Sequence, residues 1–296
     1  MTEDRPPTID PAAAEHWHRT APARSPWLHE EVGRRMQERL EWIRLKPGSW
    51  ADWEPVRGGL EAHALVQQRY PQAQCFVHET QPERAGVAAK QLSRPWWRRM
   101  GAPVVRIGAL PDSGVQMLWA NMALHMSAQP QALIAQWHRA VATDGFLMFS
   151  CLGPDSLREL RAVYRAIGWP PPAHDFTDMH DWGDMLVHAG FAEPVMDMER
   201  ITLTWETPAR LLQELRELGA NLHPHRFDAL RGRAFPLRLE QELAAALAGP
   251  DGRLALTFEI IYGHAFKPAP RVRMSESSSV SLQDMRTLLR GGRTPS

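Results

Sequence analysis

Between Trp50 and Cys151, short apolar runs alternate with longer amphipathic stretches, and this alternation leaves few folds open to the chain. The runs fall near 50–53, 75–79, 104–107, 115–120 and 146–151. Gly58-Gly59 opens a helical stretch that closes at Tyr70-Pro71, Pro82 opens another, and Leu133 to Val141 supplies a third. Strands that alternate with helices at this spacing predict a mainly parallel sheet with right-handed crossovers. Val115 to Trp119 is apolar on both faces, as an inner strand covered by helices should be.

The flanks follow different patterns. Leu28, Val32, Met36, Leu40 and Ile43 recur at three- and four-residue steps, predicting a helix from Trp27 that Pro47-Gly48 stops. After Cys151 the pattern predicts helices at 157–167, 179–189, 209–218 and 238–247, with strands at 195–205 and 255–266. The expected organisation is a flexible segment over 1–26, one α/β domain over 27–266 and a mobile tail over 267–296. Residues 206–250 are expected to form a helical insertion over the site.

Composition narrows the function. Lys plus Arg number 34 and Asp plus Glu also 34, so counterion release gives no basis for nucleic-acid binding. No run approaches the roughly 20 apolar residues of a membrane span. Residues 1–26 carry Asp4, Asp10 and Glu15 without an apolar core run, unlike a signal peptide, and the expected location is the cytoplasm. Cys75 and Cys151 stand alone, which argues against a metal or redox motif and for reduced, buried thiols. Nine of the 12 tryptophans precede Val141, and packing is the favoured reading of them over ligand stacking.

In an open parallel sheet, ligands sit beyond the carboxyl ends of the strands, where strand order reverses. The candidates there are Asp52, Glu54, Gly58 and Gly59 after the first strand, Glu79 after the second and Asn121 after the fourth. A carboxylate ending the second strand suits a ribose diol, and glycines after the first let a ligand approach backbone N–H groups. On spacing alone, a surface acid and a helix-opening glycine pair explain the same residues.

A resemblance adds to this. Leu118-Trp119-Ala120-Asn121-Met122-Ala123-Leu124, the run from Phe149 to Arg161, Asp178 to Asp184, and Leu218-Gly219-Ala220-Asn221 resemble segments of the malonyl-carrier-protein O-methyltransferases of biotin synthesis. So do Ala189-Gly190-Phe191 and Tyr262-Gly263-His264-Ala265. These belong to the class I methyltransferases, so the resemblance implies a Rossmann-like seven-stranded sheet and S-adenosyl-L-methionine as cofactor. It also implies that Glu79 holds the ribose and that the acceptor is an acyl-carrier protein or a small carboxylate. The chain departs from the family where Glu54 and Pro55 replace the first residues of the glycine-rich loop. Arg106 to Ala109 carries no adenine-side acid, and Gln116 stands where the fourth strand often opens with Asp.

His125, His223 and Arg226 are the expected acceptor contacts, with a satisfied core histidine and a solvated loop as the plainer readings. His223 and His225 lack a partner at metal-ligand spacing. Two functions stay open: a methyltransferase, or a methyltransferase-fold binding or scaffold protein that has lost its cofactor. An NAD enzyme is disfavoured because no G-x-G-x-x-G follows a strand.

Overall fold

A computed structural model describes residues 9–92, 104–227, 231–232 and 234–269. Most of the expected tail, the first eight residues, and Trp96 and Trp97 lie outside the described residues. The strands are β1 (Ser49–Trp53), β2 (Gln74–His78), β3 (Arg106–Ile107), β4 (Val115–Ala120), β5 (Val141–Leu152), β6 (Ala192–Trp205) and β7 (Leu254–Phe266). They form one sheet in the order β3-β2-β1-β4-β5-β7-β6. The first five are parallel, and β7 runs antiparallel between β5 and β6. Strand order reverses at β1, which pairs β2 on one side and β4 on the other.

The helices are α1 (Pro11–Thr20), α2 (Trp27–Arg39), α3 (Pro55–Gly58), α4 (Leu60–Arg69), α5 (Pro82–Leu92), α6 (Pro130–Ala140), α7 (Arg158–Ala166), α8 (Met179–His188), α9 (Pro208–Leu218) and α10 (Ala234–Leu247). The period-two alternation of the strands sorts their side chains onto two faces. Trp50, Val77, Met117, Trp119, Phe146 and Met148 pack with Val32, Met36 and Leu40 of the α2 region. Their immediate neighbours Ala51, Phe76, Leu118, Leu147 and Phe149 pack with Ile134 and Trp137 of α6 and Trp182 and Leu186 of α8. Among the described residues, six tryptophans are buried core, while Trp27 and Trp42 are exposed. Cys75 and Cys151 are buried free thiols.

Two expectations need correction. The segment before Trp27 contains α1, because Asp10 caps it, accepting from the N–H groups of Ala12 (2.9 Å) and Ala13 (3.3 Å), and Ala-rich sequence propagates it. Only Arg106–Ile107 of the 104–107 run pairs with β2, both residues being exposed at the sheet edge. The helices α9 and α10 lie between β6 and β7 in sequence, within the span expected as an insertion. Among the described residues, no helix is long and apolar enough to cross a membrane.

Candidate active site

β1 delivers the chain to the carboxyl edge of the sheet at Trp53, and the next residue turns it sharply. Glu54 adopts φ 56°, ψ 50°, a left-handed conformation rare outside glycine, and donates its N–H to the His78 carbonyl at 2.8 Å. Pro55 then starts α3 at the position where a missing N–H costs nothing. Gly59, at φ 134°, joins α3 to α4; a Cβ there would lie 2.7 Å from Glu30 Oε2. Glu30 reaches over from α2 and accepts from the N–H groups of Leu60 (2.9 Å) and Ala62 (3.0 Å). The anion-binding end of α4 is thereby satisfied by the chain's own carboxylate.

Two cavities open at this edge. The first, about 570 Å³, is lined by Trp17, Trp53, Glu54, Arg57, Thr80 and Arg84 among others. The second, about 580 Å³, has mostly apolar walls that include Leu157, Tyr164, Phe176 and Phe258, with Arg216 and Arg231 also on its lining. His29, Met122, Met126 and Leu218 border both, so the cavities adjoin along one line of side chains.

Glu79 follows β2 at the same edge, but its side chain is 0% exposed and does not line the first cavity. One carboxylate oxygen accepts from the Val56 N–H at 2.9 Å, and the other lies 3.4 Å from Arg84 Nε. Burial is the main cause that pushes its carboxyl up to about 7. The Glu54 and Asp52 charges add to the rise, while the Val56 bond and Arg84 oppose it. Arg84 also donates to the His18 carbonyl at 2.9 Å and stands 3.8 Å from Glu54, which accepts from Thr80 Oγ1.

Asp52 and Asn121 serve the scaffold behind the cavities. Asp52 is 1% exposed and pairs with His63 Nδ1 at 2.8 Å, and burial raises its carboxyl. Asn121 donates to the carbonyls of His29 (2.7 Å) and Gly58, and accepts from Ser150 Oγ at 2.5 Å. It ties α2, the turn after β1 and β5 into one unit. Gly58 lies against it, a Cβ there meeting the Asn121 carbonyl at 3.1 Å.

His125 lines the second cavity, buried and edge-on to Phe176. Burial holds it neutral, as it does His174, lowered to about 4, whose Nε2 donates to the His125 carbonyl at 2.8 Å. His29 falls to about 3, first through burial and then through the Arg57 charge. Arg226 lines the second cavity while paired to Asp10 at 2.6 Å. His223 instead accepts from the His225 N–H at 2.9 Å in a loop turn. Among the described residues, no group of His, Cys, Asp and Glu could hold a metal ion.

Sequence reasoning did not single out Glu30, Arg57 or Arg84. Arg57 is largely buried and donates to the carbonyls of Arg24 (2.8 Å), Glu217 (2.8 Å) and Leu218 (3.2 Å), sewing the N-terminal segment to α9. Arg84 had one legible signal, since it occupies the first turn of the helix after Glu79, the end nearest the carboxyl edge. The first cavity has the place and capacity that the expected adenosyl cofactor needs. The groups that should hold it are already engaged: Glu79 by Val56 and Arg84, and the start of α4 by Glu30. Glu54, Thr80, Arg57 and Arg84 put polar groups on that cavity for such a cofactor, and Glu79 joins them only when its contact with Arg84 opens.

No protein-family model matches the chain. Among curated proteins, it is 40% identical over 261 residues to a malonyl-[acyl-carrier protein] O-methyltransferase of Gallionella capsiferriformans, covering 83% of this chain and 86% of that one. To the enzyme of the same name from Laribacter hongkongensis it is 38% identical, over 83% of this chain and 84% of the relative. Among solved structures, the YcgJ protein from Bacillus subtilis superposes with a TM-score of 0.52 at 12% identity, covering 80% of this chain and 99% of that chain, a likeness of fold alone.

Proposed function

We propose, for a chain that belongs to the malonyl-[acyl-carrier protein] O-methyltransferase family, that it is an S-adenosylmethionine-dependent enzyme methylating the free carboxylate of a malonyl carrier-protein thioester. The observation that carries this reading is the pair of adjoining cavities at the carboxyl edge, one beside the β1 turn and the other apolar and deep. A donor in the first would face an acceptor in the second across Met122 and His29.

The acceptor needs no general base, because a carboxylate with a pKa near ~4 is already a nucleophile at neutral pH. The chain's contribution is to align the acceptor and strip its water. His29, His125 and His174 are buried and held neutral, so these imidazoles add no positive charge to the wall of the second cavity. Arg216 and Arg231 are exposed on the same cavity and complement an anionic acyl group and an acidic carrier. The reading also places the protein in the cytoplasm, where biotin synthesis and reduced thiols belong together.

The test supplies purified protein with malonyl-carrier protein and S-adenosylmethionine labelled in its methyl group, and looks for labelled ester by mass spectrometry. The expected result is one methyl per malonyl group. Absence of ester, together with failure to rescue a biotin-requiring strain, would overturn the proposal.

A further inference from the structure

We infer that Arg84 is a latch on the donor site, holding Glu79 away from any ligand diol until it is displaced. This rests on the cofactor reading above and resolves the mismatch between a family acid at the right strand end and a carboxylate that does not reach the cavity. Arg84 lines the first cavity and touches Glu79, whose fully enclosed side chain does not line it. Its side chain is only 3% exposed, and each nitrogen has a role. Nε faces Glu79 at 3.4 Å, Nη1 donates to the His18 carbonyl at 2.9 Å, and Nη2 lies 3.8 Å from Glu54.

The His18 contact makes the latch part of a larger cover. His18 lies in the last turn of α1, at the negative end of the helix, and its carbonyl has no helical partner because residue 22 is proline. Arg84 therefore caps α1 and seats it over the first cavity, which Ala14, Trp17 and His18 also line. Thr80 joins the same cluster, bonded to Glu54 and 2.7 Å from His18 Nε2. A ribose diol that takes the Glu79 oxygens must break the Arg84 contact, and the loss loosens α1 with it. Such a diol pays for binding by displacing a charge-assisted contact, so apparent affinity falls by the fraction of chains that are open.

Calorimetric titration of S-adenosylhomocysteine into the full chain and into Arg84→Gln tests this. The variant should bind about ten-fold more tightly, since one charged contact no longer competes. A second substitution, Glu79→Gln in the Arg84→Gln background, should reverse that gain, which a merely structural role for Arg84 would not do. Should Arg84→Gln not fold, as checked by thermal unfolding, Arg84→Lys serves instead; it keeps the charge but cannot span Glu79 and the His18 carbonyl together. Equal affinity in parent and folded variant overturns the latch and leaves the cofactor reading standing. No binding to parent or folded variants overturns both.

Discussion

Glu79 should make stability fall as pH rises from about 4.5 towards neutrality. Its carboxyl lies at about 7 in the folded protein against an ordinary 4.5, with burial as the main cause. Because the folded value is raised, the folded chain keeps a proton that the unfolded chain has released. The stabilising contribution is therefore complete below about pH 4.5 and is lost as pH climbs through about 7. At about 1.4 kcal/mol per pH unit of displacement, the change amounts to about 3 kcal/mol across the window. Buried histidines work in the opposite direction. His29 and His174, lowered to about 3 and about 4, favour the folded state above pH 6.5 and cost stability as pH falls below it. Parent stability alone would mix the two trends, so the measurement is a difference. Urea unfolding of the parent and of Glu79→Gln at half-unit steps from pH 5 to pH 8 cancels the histidines, which both proteins share. The variant should gain on the parent by about 2.5 kcal/mol from the acid to the alkaline end, because the scan begins half a unit above the unfolded value, whatever constant offset the amide introduces. A difference that stays flat over this range would refute the claim that enclosure raises the Glu79 carboxyl.

Three further outcomes follow from the same geometry. Asn121→Ala leaves two buried carbonyls and a buried hydroxyl without their partner, and should cost about 2–4 kcal/mol in equilibrium urea unfolding. Gly59→Ala places a Cβ against the Glu30 carboxylate at a φ that L residues avoid; thermal unfolding should show a loss of about 1–3 kcal/mol, and Glu30→Gln should not restore it fully because the φ strain remains. Arg57→Ala should release the segment before Trp27, seen as faster proteolysis there, because that side chain bonds carbonyls on both the segment and α9.

How much of this could be read before the fold was known depends on the range of the forces involved. The strands and their parallel pairing followed from local periodicity, since alternate residues of a strand must face opposite helix layers and helical repeats must cover them. Trp50 beside Ala51 and Met117 beside Leu118 divide between the two packing layers as that periodicity requires. The same logic placed Glu79, Gly59 and Asn121 at the carboxyl edge, because position along a strand determines which end a residue occupies. Where their polar groups point was decided by residues remote in sequence. Glu30 reaches α4 from another helix, Asn121 meets His29 across 92 positions, and Arg84 bonds His18 across 66. No local pattern encodes these meetings. Alpha1 shows the same division: Asp10 and the alanines make the helix locally, whereas its seat over the cavity depends on Arg84 and on the Asp10–Arg226 pair across 216 positions. Sequence alone thus determined which groups stand at the edge of the sheet. Burial and long-range pairing, which exist only once the chain is folded, decided that Glu79 faces Arg84 instead of the cavity.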